Sequence, residues 1–295
     1  MFDGSIVALV TPMDESSRVD AAGLRRLVDF QLSSGTSAIV VAGTTGESAT
    51  LTTEEFEQLL EATLRQVDGR VPVIAGTGSA DTARTIGRTR RAEALGADAA
   101  LLVTPYYNRP PQAGLRAHYE AVAAATHLPL ILYNVPGRTG VDLLPGTVAA
   151  LADGDRFVAI KEAVPDPGRV HELLELVGDR MAVLSGDDPS CARSMAAGAR
   201  GVISVAANVA PAAMARLCEA ALAGDRDRAA VFDAELAHLY RQLAVQSNPI
   251  PVKWAAHRMG LIGPGIRLPL VPLAETHRPA LEACLDDLGL LVVHR

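Results

Sequence analysis

The sequence predicts an α/β fold: a (β/α)8 barrel of the TIM type with a C-terminal helical extension. Three observations predict it. Eight short apolar runs recur along the 295 residues. Their starts lie about 20 to 35 residues apart, the size of one βα unit. The segments between them place apolar residues at helical spacing. A doubly wound sheet shares this alternation and is the structural alternative.

The runs, in order, are SIVALV from Ser5, AIVVAG from Ala38, PVIAG from Pro72, AALLVTP from Ala99, PLILYN from Pro129, FVAIK from Phe157, MAVLSG from Met181 and GVISV from Gly201. They are apolar on both faces, as strands covered on both sides must be. The first connecting segment, DAAGLRRLVDFQLSSG, sets Leu24, Leu27, Val28 and Leu32 on one helical face. Thr52 with Glu55 forms a capping-box pattern that starts the helix after the second run. Gly35, Gly96 and Gly198 stand where helices end. From Pro211 the strand signal stops. PAAMARLCEAALAG and DRAAVFDAELAHLYRQL are helical, Asn248-Pro249 makes a break, and PVKWAAHRMG resumes a helix. The expected organisation is a barrel catalytic domain over 1–210 and a helical extension packed on it over 211–295, with no Ser/Gly-rich linker between them.

Composition narrows the function. The chain is 49% hydrophobic and 21% charged, with a formal net charge of -7 and a pI near 5.5. A basic patch for nucleic acid or for an anionic membrane is not expected. No window approaches the roughly 18 consecutive apolar residues of a membrane span. MFDGSIVALVTPMDESS lacks a basic region and a long apolar core, so no signal peptide is expected. Cys191, Cys218 and Cys284 are far apart and form no CxxC pair, which points to a reducing, cytoplasmic setting. The seven histidines are scattered without an HExxH pattern. No metal and no cofactor is expected.

The chemistry of such a barrel sits at the C-terminal ends of its strands. There the sequence reads GTTGES after the second run, TPYYN after the fourth, YNVPGRTG after the fifth, Lys161 at the end of the sixth, SGDD after the seventh and SVAAN after the eighth. Lys161 alone reads as a strand's exit to water. In the middle of this ring it reads as a nucleophile. Apolar walls would lower its pKa, and a neutral amine can form a Schiff base with a ketone or aldehyde. That chemistry needs no metal. GTTGES lacks the GxxxxGK[ST] frame of a nucleotide loop. Gly43 and Gly46 would expose backbone N–H groups beside the hydroxyls of Thr44 and Thr45, a nest for a small carboxylate, or would simply make the turn. Tyr133 and Tyr107 are packing residues or, with Thr44, a proton relay. Arg138 makes a surface ion pair or clamps a substrate carboxylate. Asp187 and Asp188 read as a loop start or helix cap before a metal site.

Taken together, GSIVALVTPM, GTTGESATL, VIAGTG, VTPYYNRP, ILYNVPGRTG, IKEA, LSGDD, GVISV and NPIPVKWA closely resemble the dihydrodipicolinate synthase family of pyruvate-dependent class I aldolases. The resemblance runs in order from Met1 to about Leu270. GTTGE and the lysine are shared with neuraminate lyases and keto-sugar-acid aldolases. TPYYN with YNVPGRTG is more specific. The resemblance implies condensation of pyruvate with L-aspartate 4-semialdehyde to 4-hydroxy-tetrahydrodipicolinate, on the way to diaminopimelate and lysine. It implies that Lys161 forms the imine and that Tyr133, Thr44 and Tyr107 relay protons, Tyr107 reaching in from a neighbouring subunit. Thr45 would bind the pyruvate carboxylate, Gly186 and the Ile203 carbonyl would line the pocket, and Arg138 would hold the second substrate's carboxylate. It implies a cytoplasmic homotetramer, a dimer of tight dimers. Two other readings are an aldolase for a keto-sugar acid, which a lone arginine clamp disfavours, and a keto-acid binder without turnover, which Lys161, Tyr133 and Thr44 disfavour.

Regulation is where the chain departs from part of that family. Lysine-inhibited members bind lysine in a cleft at the tight-dimer interface. Ser48, Ala49 and Tyr106 match that cleft. Thr53 and Phe56 stand where histidines are common, Ala80 where an asparagine is expected, and Arg84 where a glutamate is expected to pair with the lysine ammonium. Weak or absent lysine inhibition is therefore expected.

Overall fold

A computed structural model describes residues 2–291. Its eight strands are β1 (Gly4–Ala8), β2 (Ala38–Val41), β3 (Val73–Gly76), β4 (Ala99–Val103), β5 (Leu130–Asn134), β6 (Phe157–Glu162), β7 (Ala182–Ser185) and β8 (Gly201–Ser204). All are parallel, each pairs with the next, and β8 pairs with β1 to close the barrel. Every apolar run read from the sequence is a strand, and the doubly wound alternative is excluded by closure. Pro72 and Pro129 fall just outside their strands, as residues without an N–H do at a strand start.

The helices between them are α1 (Ala21–Ser33), α2 (Thr53–Val67), α3 (Thr82–Leu95), α4 (Gln112–Ala123), α5 (Pro136–Thr139), α6 (Pro145–Leu151), α7 (Pro167–Val177) and α8 (Cys191–Ala197). The capping box at α2 is formed: Glu55 N–H donates to Thr52 Oγ1 at 3.2 Å, and Thr52 N–H to Glu55 Oε2 at 3.0 Å. After β8 come α9 (Pro211–Leu222), α10 (Arg226–Leu243), α11 (Ile250–Arg258) and α12 (Arg278–Asp287). Helix α9 packs against β1 and α8, the place of an eighth barrel helix. We therefore propose that the extension begins at α10 rather than at Pro211. Residues 292–295 of the expected extension lie outside the described residues.

Two apolar cores follow from strand alternation. The outward residues, such as Val7, Ile39, Leu102 and Ile160, pack with the helices. The inward ones, such as Ile6, Val40, Ile131, Ala159 and Leu184, fill the barrel. The three cysteines are free and buried, and burial pushes the Cys218 thiol up to about 12.

Strand β6 breaks the alternation once. Leu130 pairs with Phe157 and Ile131 with Ala159, so Val158 is an extra residue. Phe157 packs in the outer core, Val158 and Ala159 both on the inner one, and Ile160 in the outer. This bulge shifts the parity of the rest of the strand. Lys161 then turns inward and Glu162 outward.

Outside the barrel, Glu162 faces its cross-strand partner Asn134. Asn134 Nδ2 donates to both Glu162 carboxylate oxygens at 3.1 and 3.0 Å and to Asp142 Oδ1 at 2.7 Å. Val164 N–H donates to Glu162 Oε1 at 2.8 Å. Arg169 binds Asp142 through two nitrogens at 2.9 and 2.6 Å and stands 3.6 Å from Glu162. Burial nonetheless raises the Glu162 pKa to about 6, against these hydrogen bonds. A raised acid pKa means that the folded state binds more protons than the unfolded one between about pH 4.5 and 6, so this group's contribution falls as pH rises through that window. Glu162→Gln lacks that titration. The stability of Glu162→Gln relative to the parent is expected to rise by up to about 2 kcal/mol from pH 4.5 to pH 7. Urea unfolding of both proteins across that range checks it, and a pH-independent difference would refute it.

Candidate active site

The loop after β2 reads from the sequence either as a nest for a carboxylate or as a plain turn. Its left-handed residues are Ala42 (φ 52°) and Glu47 (φ 56°) rather than the glycines. Gly46 is needed for a different reason: a Cβ there would lie 3.1 Å from Ala42 N and Leu9 O. Glu47 N–H donates to the Thr44 carbonyl at 3.1 Å and Ser48 N–H to the Gly43 carbonyl at 3.2 Å. The N–H groups of Thr44, Thr45 and Gly46 donate to no carbonyl among the described residues.

A non-glycine residue in the left-handed region costs roughly 1–2 kcal/mol. At Glu47 the side chain offsets that cost. It is buried in an ion pair with Lys253 of α11 and accepts the Arg267 N–H at 3.1 Å. Arg267 also pairs with Glu55 at the start of α2, which holds the Glu55 carboxyl below its ordinary range. Burial lowers the Lys253 pKa, and the Glu47 carboxylate opposes the shift.

The chain has two lysines, and both are buried. Lys253 is consumed by Glu47. Lys161, 5% exposed, pairs with no carboxylate among the described residues. It lies across from Tyr133 in the β5–β6 register, and its Nζ stands 4.3 Å from the centre of the Tyr133 ring. Gly186 makes room for it, because a Cβ there would lie 3.0 Å from Lys161 Cε and Cγ. Lys161 reaches a cavity of about 560 Å³ whose walls include Thr45, Tyr133, Arg138, Gly186 and Asn248. A primary amine, a phenol, a hydroxyl and a guanidinium thus share one water-accessible chamber. That set can form an imine on a keto acid and hold a second anionic substrate at the mouth.

The other expected residues fall as follows. Thr44 and Tyr133 line a separate hollow of about 20 Å³. Arg138 is exposed at the end of α5. Ile203 packs in the inner core with Leu184 and is not part of the cavity wall. Tyr107 is 93% exposed with φ 73°, and this chain does not bring it to Thr44 and Tyr133. Asp187 accepts from the Ser190 N–H at 3.1 Å and hydroxyl at 2.6 Å, and Asp188 from the N–H groups of Val205 and Ala206 at 3.1 and 2.8 Å. Both are structural caps that also border the cavity. Among the described residues no three His, Cys, Asp or Glu side chains form a metal cluster, and no helix is long and apolar enough to cross a membrane.

Around the cleft named for lysine, Phe56 is buried beneath the Arg88 guanidinium, 4.5 Å from ring centre to Cζ. Arg84 is exposed one helical turn before Arg88 on α3. The Ala80 carbonyl accepts from Asn108 Nδ2 at 3.0 Å.

Sequence reading gave no role to Glu47 or Lys253, and read Asn248 only as part of the Asn248-Pro249 break. Lys253 is a local signal only as a charge set in the apolar IPVKWAA, and Glu47, in GTTGESATL, gives none. Their meeting across 206 residues is a property of the fold.

Comparison with known proteins gives one consistent result. The model of the dihydrodipicolinate synthetase family matches residues 1–288. The chain is 53% identical to the 4-hydroxy-tetrahydrodipicolinate synthase of Methylococcus capsulatus over 291 residues, 99% of this chain and 100% of that one. The corresponding Alcanivorax borkumensis protein is 53% identical over 293 residues, again 99% and 100%. Among solved structures, the chloride-inhibited dihydrodipicolinate synthase of Acinetobacter baumannii complexed with pyruvate is 50% identical, with a TM-score of 0.97 over 99% of this chain and 100% of that one. The Cyanidioschyzon merolae enzyme with lysine bound is 37% identical, with a TM-score of 0.95 over 98% and 99%.

Proposed function

The chain belongs to the dihydrodipicolinate synthetase family, and from that premise we propose that it condenses pyruvate with L-aspartate 4-semialdehyde to 4-hydroxy-tetrahydrodipicolinate. This is the committed step toward diaminopimelate and lysine. The observation that carries the reading is Lys161, the one lysine without an ion-pair partner among the described residues, buried beside Tyr133 at the cavity.

The pyruvate carboxylate binds the free N–H groups of the nest and the Thr45 hydroxyl. The Lys161 amine adds to the keto carbon, Tyr133 and Thr44 pass protons, and water leaves as the imine forms. The protonated imine draws electrons, the methyl carbon gives up a proton, and the enamine attacks the aldehyde. Arg138 holds the carboxylate of that second substrate at the mouth. The substrate's own amine then displaces Lys161 and closes the ring, restoring the free lysine. Gly186 supports this by leaving Lys161 its space.

Tyr107 completes the relay in a partner subunit's site within a homotetramer. A phenol held out from its own barrel suits that role, with the Tyr107 backbone N–H donating to the Thr139 carbonyl at 3.3 Å. Three free cysteines suit a cytoplasmic, reducing setting.

Borohydride added with pyruvate is expected to inactivate the enzyme and leave a reduced pyruvyl group on Lys161. Peptide mapping that found it on Lys253, or found none, would sink the reading. For the second substrate, Arg138→Ala is expected to cost about 2–5 kcal/mol in kcat/KM for aspartate semialdehyde, while imine trapping with pyruvate survives. Normal turnover of aspartate semialdehyde by that variant would contradict the assignment.

Lysine regulation follows the same logic. Arg84 repels an ammonium where an acidic partner would attract it, and neither the buried Phe56 nor the half-buried Ala80 supplies a polar side chain. Losing one charged partner costs about 2–5 kcal/mol. A lysine titration at saturating pyruvate is expected to give little inhibition. Half-inhibition below about 1 mM, roughly 4 kcal/mol of binding, would show a working site.

A further inference from the structure

The loop between α10 and α11 lays the helical extension over the barrel mouth, where Ala244, Gln246, Ser247 and Asn248 complete the cavity wall. Asn248 makes two contacts there. Its Nδ2 donates to Thr45 Oγ1 at 3.0 Å. Its backbone carbonyl accepts from Arg138 Nη2 at 3.3 Å. Thr45 and Arg138 are 203 and 110 residues away in sequence, on the connections after β2 and β5. A single residue therefore touches the anchor assigned to each substrate carboxylate.

The chemistry of a hydroxyl gives the first contact a direction. Threonine has one hydrogen to donate and two lone pairs to accept with. An amide N–H on one lone pair leaves the hydrogen free to point at a carboxylate. The reverse amide orientation would draw that hydrogen to Asn248 Oδ1 and leave Thr45 with none to give. The remaining polar atom, Oδ1, is shielded from solvent and has no partner among the described residues. A bare buried acceptor detracts from stability, so stability alone gives no reason for an amide at this position.

We infer that Asn248 is a positioning residue for the condensation: its side-chain amide fixes Thr45 as a donor to the pyruvate carboxylate, and its backbone carbonyl steadies Arg138 for the second substrate. The inference rests on Thr45 being the pyruvate anchor. It also divides the labour. The side chain serves one substrate and the main chain the other, so a side-chain substitution separates them.

Steady-state kinetics with both substrates test this, with a thermal melt of each variant alongside. Asn248→Ala is expected to raise the pyruvate KM about three- to tenfold, the size of one net hydrogen bond. The KM for aspartate semialdehyde should stay within about twofold, because the carbonyl to Arg138 remains. Thr45→Val should raise the pyruvate KM at least as much, and Asn248→Ala should add nothing on that background. Equal rises for both substrates, additive effects of the two substitutions, or an unchanged pyruvate KM in Asn248→Ala would each overturn the inference. The last result beside a raised KM in Thr45→Val overturns the inference alone. An unchanged KM in Thr45→Val overturns the anchor assignment and the inference with it. Should Asn248→Ala not fold, Asn248→Ser is read by the same comparison.

Discussion

The site depends on a single extra residue in β6. A strand alternates its side chains between two faces, and a one-residue shift reverses every assignment after it. With Phe157 in the outer core, strict alternation would send Lys161 out among the helices and Glu162 into the barrel. The bulge at Val158 reverses this. An amine enters the barrel beside Tyr133, and a carboxylate leaves for the helical shell. The reverse would place an uncompensated carboxylate in the chamber, which on the proposed function receives two carboxylate substrates. Two cross-strand pairs then do separate work on opposite faces of β5 and β6. Tyr133 and Lys161 face the cavity, while Asn134 and Glu162 brace the strand ends from behind.

The contrast between the two lysines makes the same point about charge. Both are removed from water, and burial without a partner is costly for a cation. Lys253 is compensated by Glu47 and is thereby committed to structure: it holds the nest loop in a left-handed turn. Lys161 has only the face of an aromatic ring beside it, a cation–π contact worth about 0.5–2 kcal/mol. On the proposed function, so weak a compensation leaves the Lys161 nitrogen open to an incoming carbonyl carbon.

The sequence shows the barrel because its information is local. Each run, from Ser5 to Gly201, carries its own burial in its composition, and Thr52 with Glu55 carries its own cap. The residues that close the strands were legible for the same reason: a lysine after FVAI or glycines around two threonines are exceptions to an apolar pattern. The bulge was not legible, since FVAIK reads equally well with either parity. The turn geometry was not legible either. Glycines signalled a turn, but the left-handed positions went to Ala42 and Glu47, where tertiary contacts override the local preference. The displacement of Tyr107 from Tyr133 also lies beyond local pattern. Two phenols on neighbouring strand ends look adjacent in sequence logic, and only the path of the loop sends one of them outward.

The helical extension belongs to the site in an energetic sense, wherever its boundary is drawn. It contributes Lys253 and Arg267 to the nest loop and Asn248 to the cavity wall. Glu47 is buried with both of its partners, Lys253 and Arg267, supplied by the extension. Stripping one partner from a buried ion pair costs about 3–5 kcal/mol, because the remaining charge stays out of water. That is a large part of the roughly 5–15 kcal/mol by which a domain is stable. The loop after β2 and the extension therefore share one buried charge network. On the proposed boundary Pro211 opens a helix of the barrel wall, and residues of the following helix and loop line the chamber.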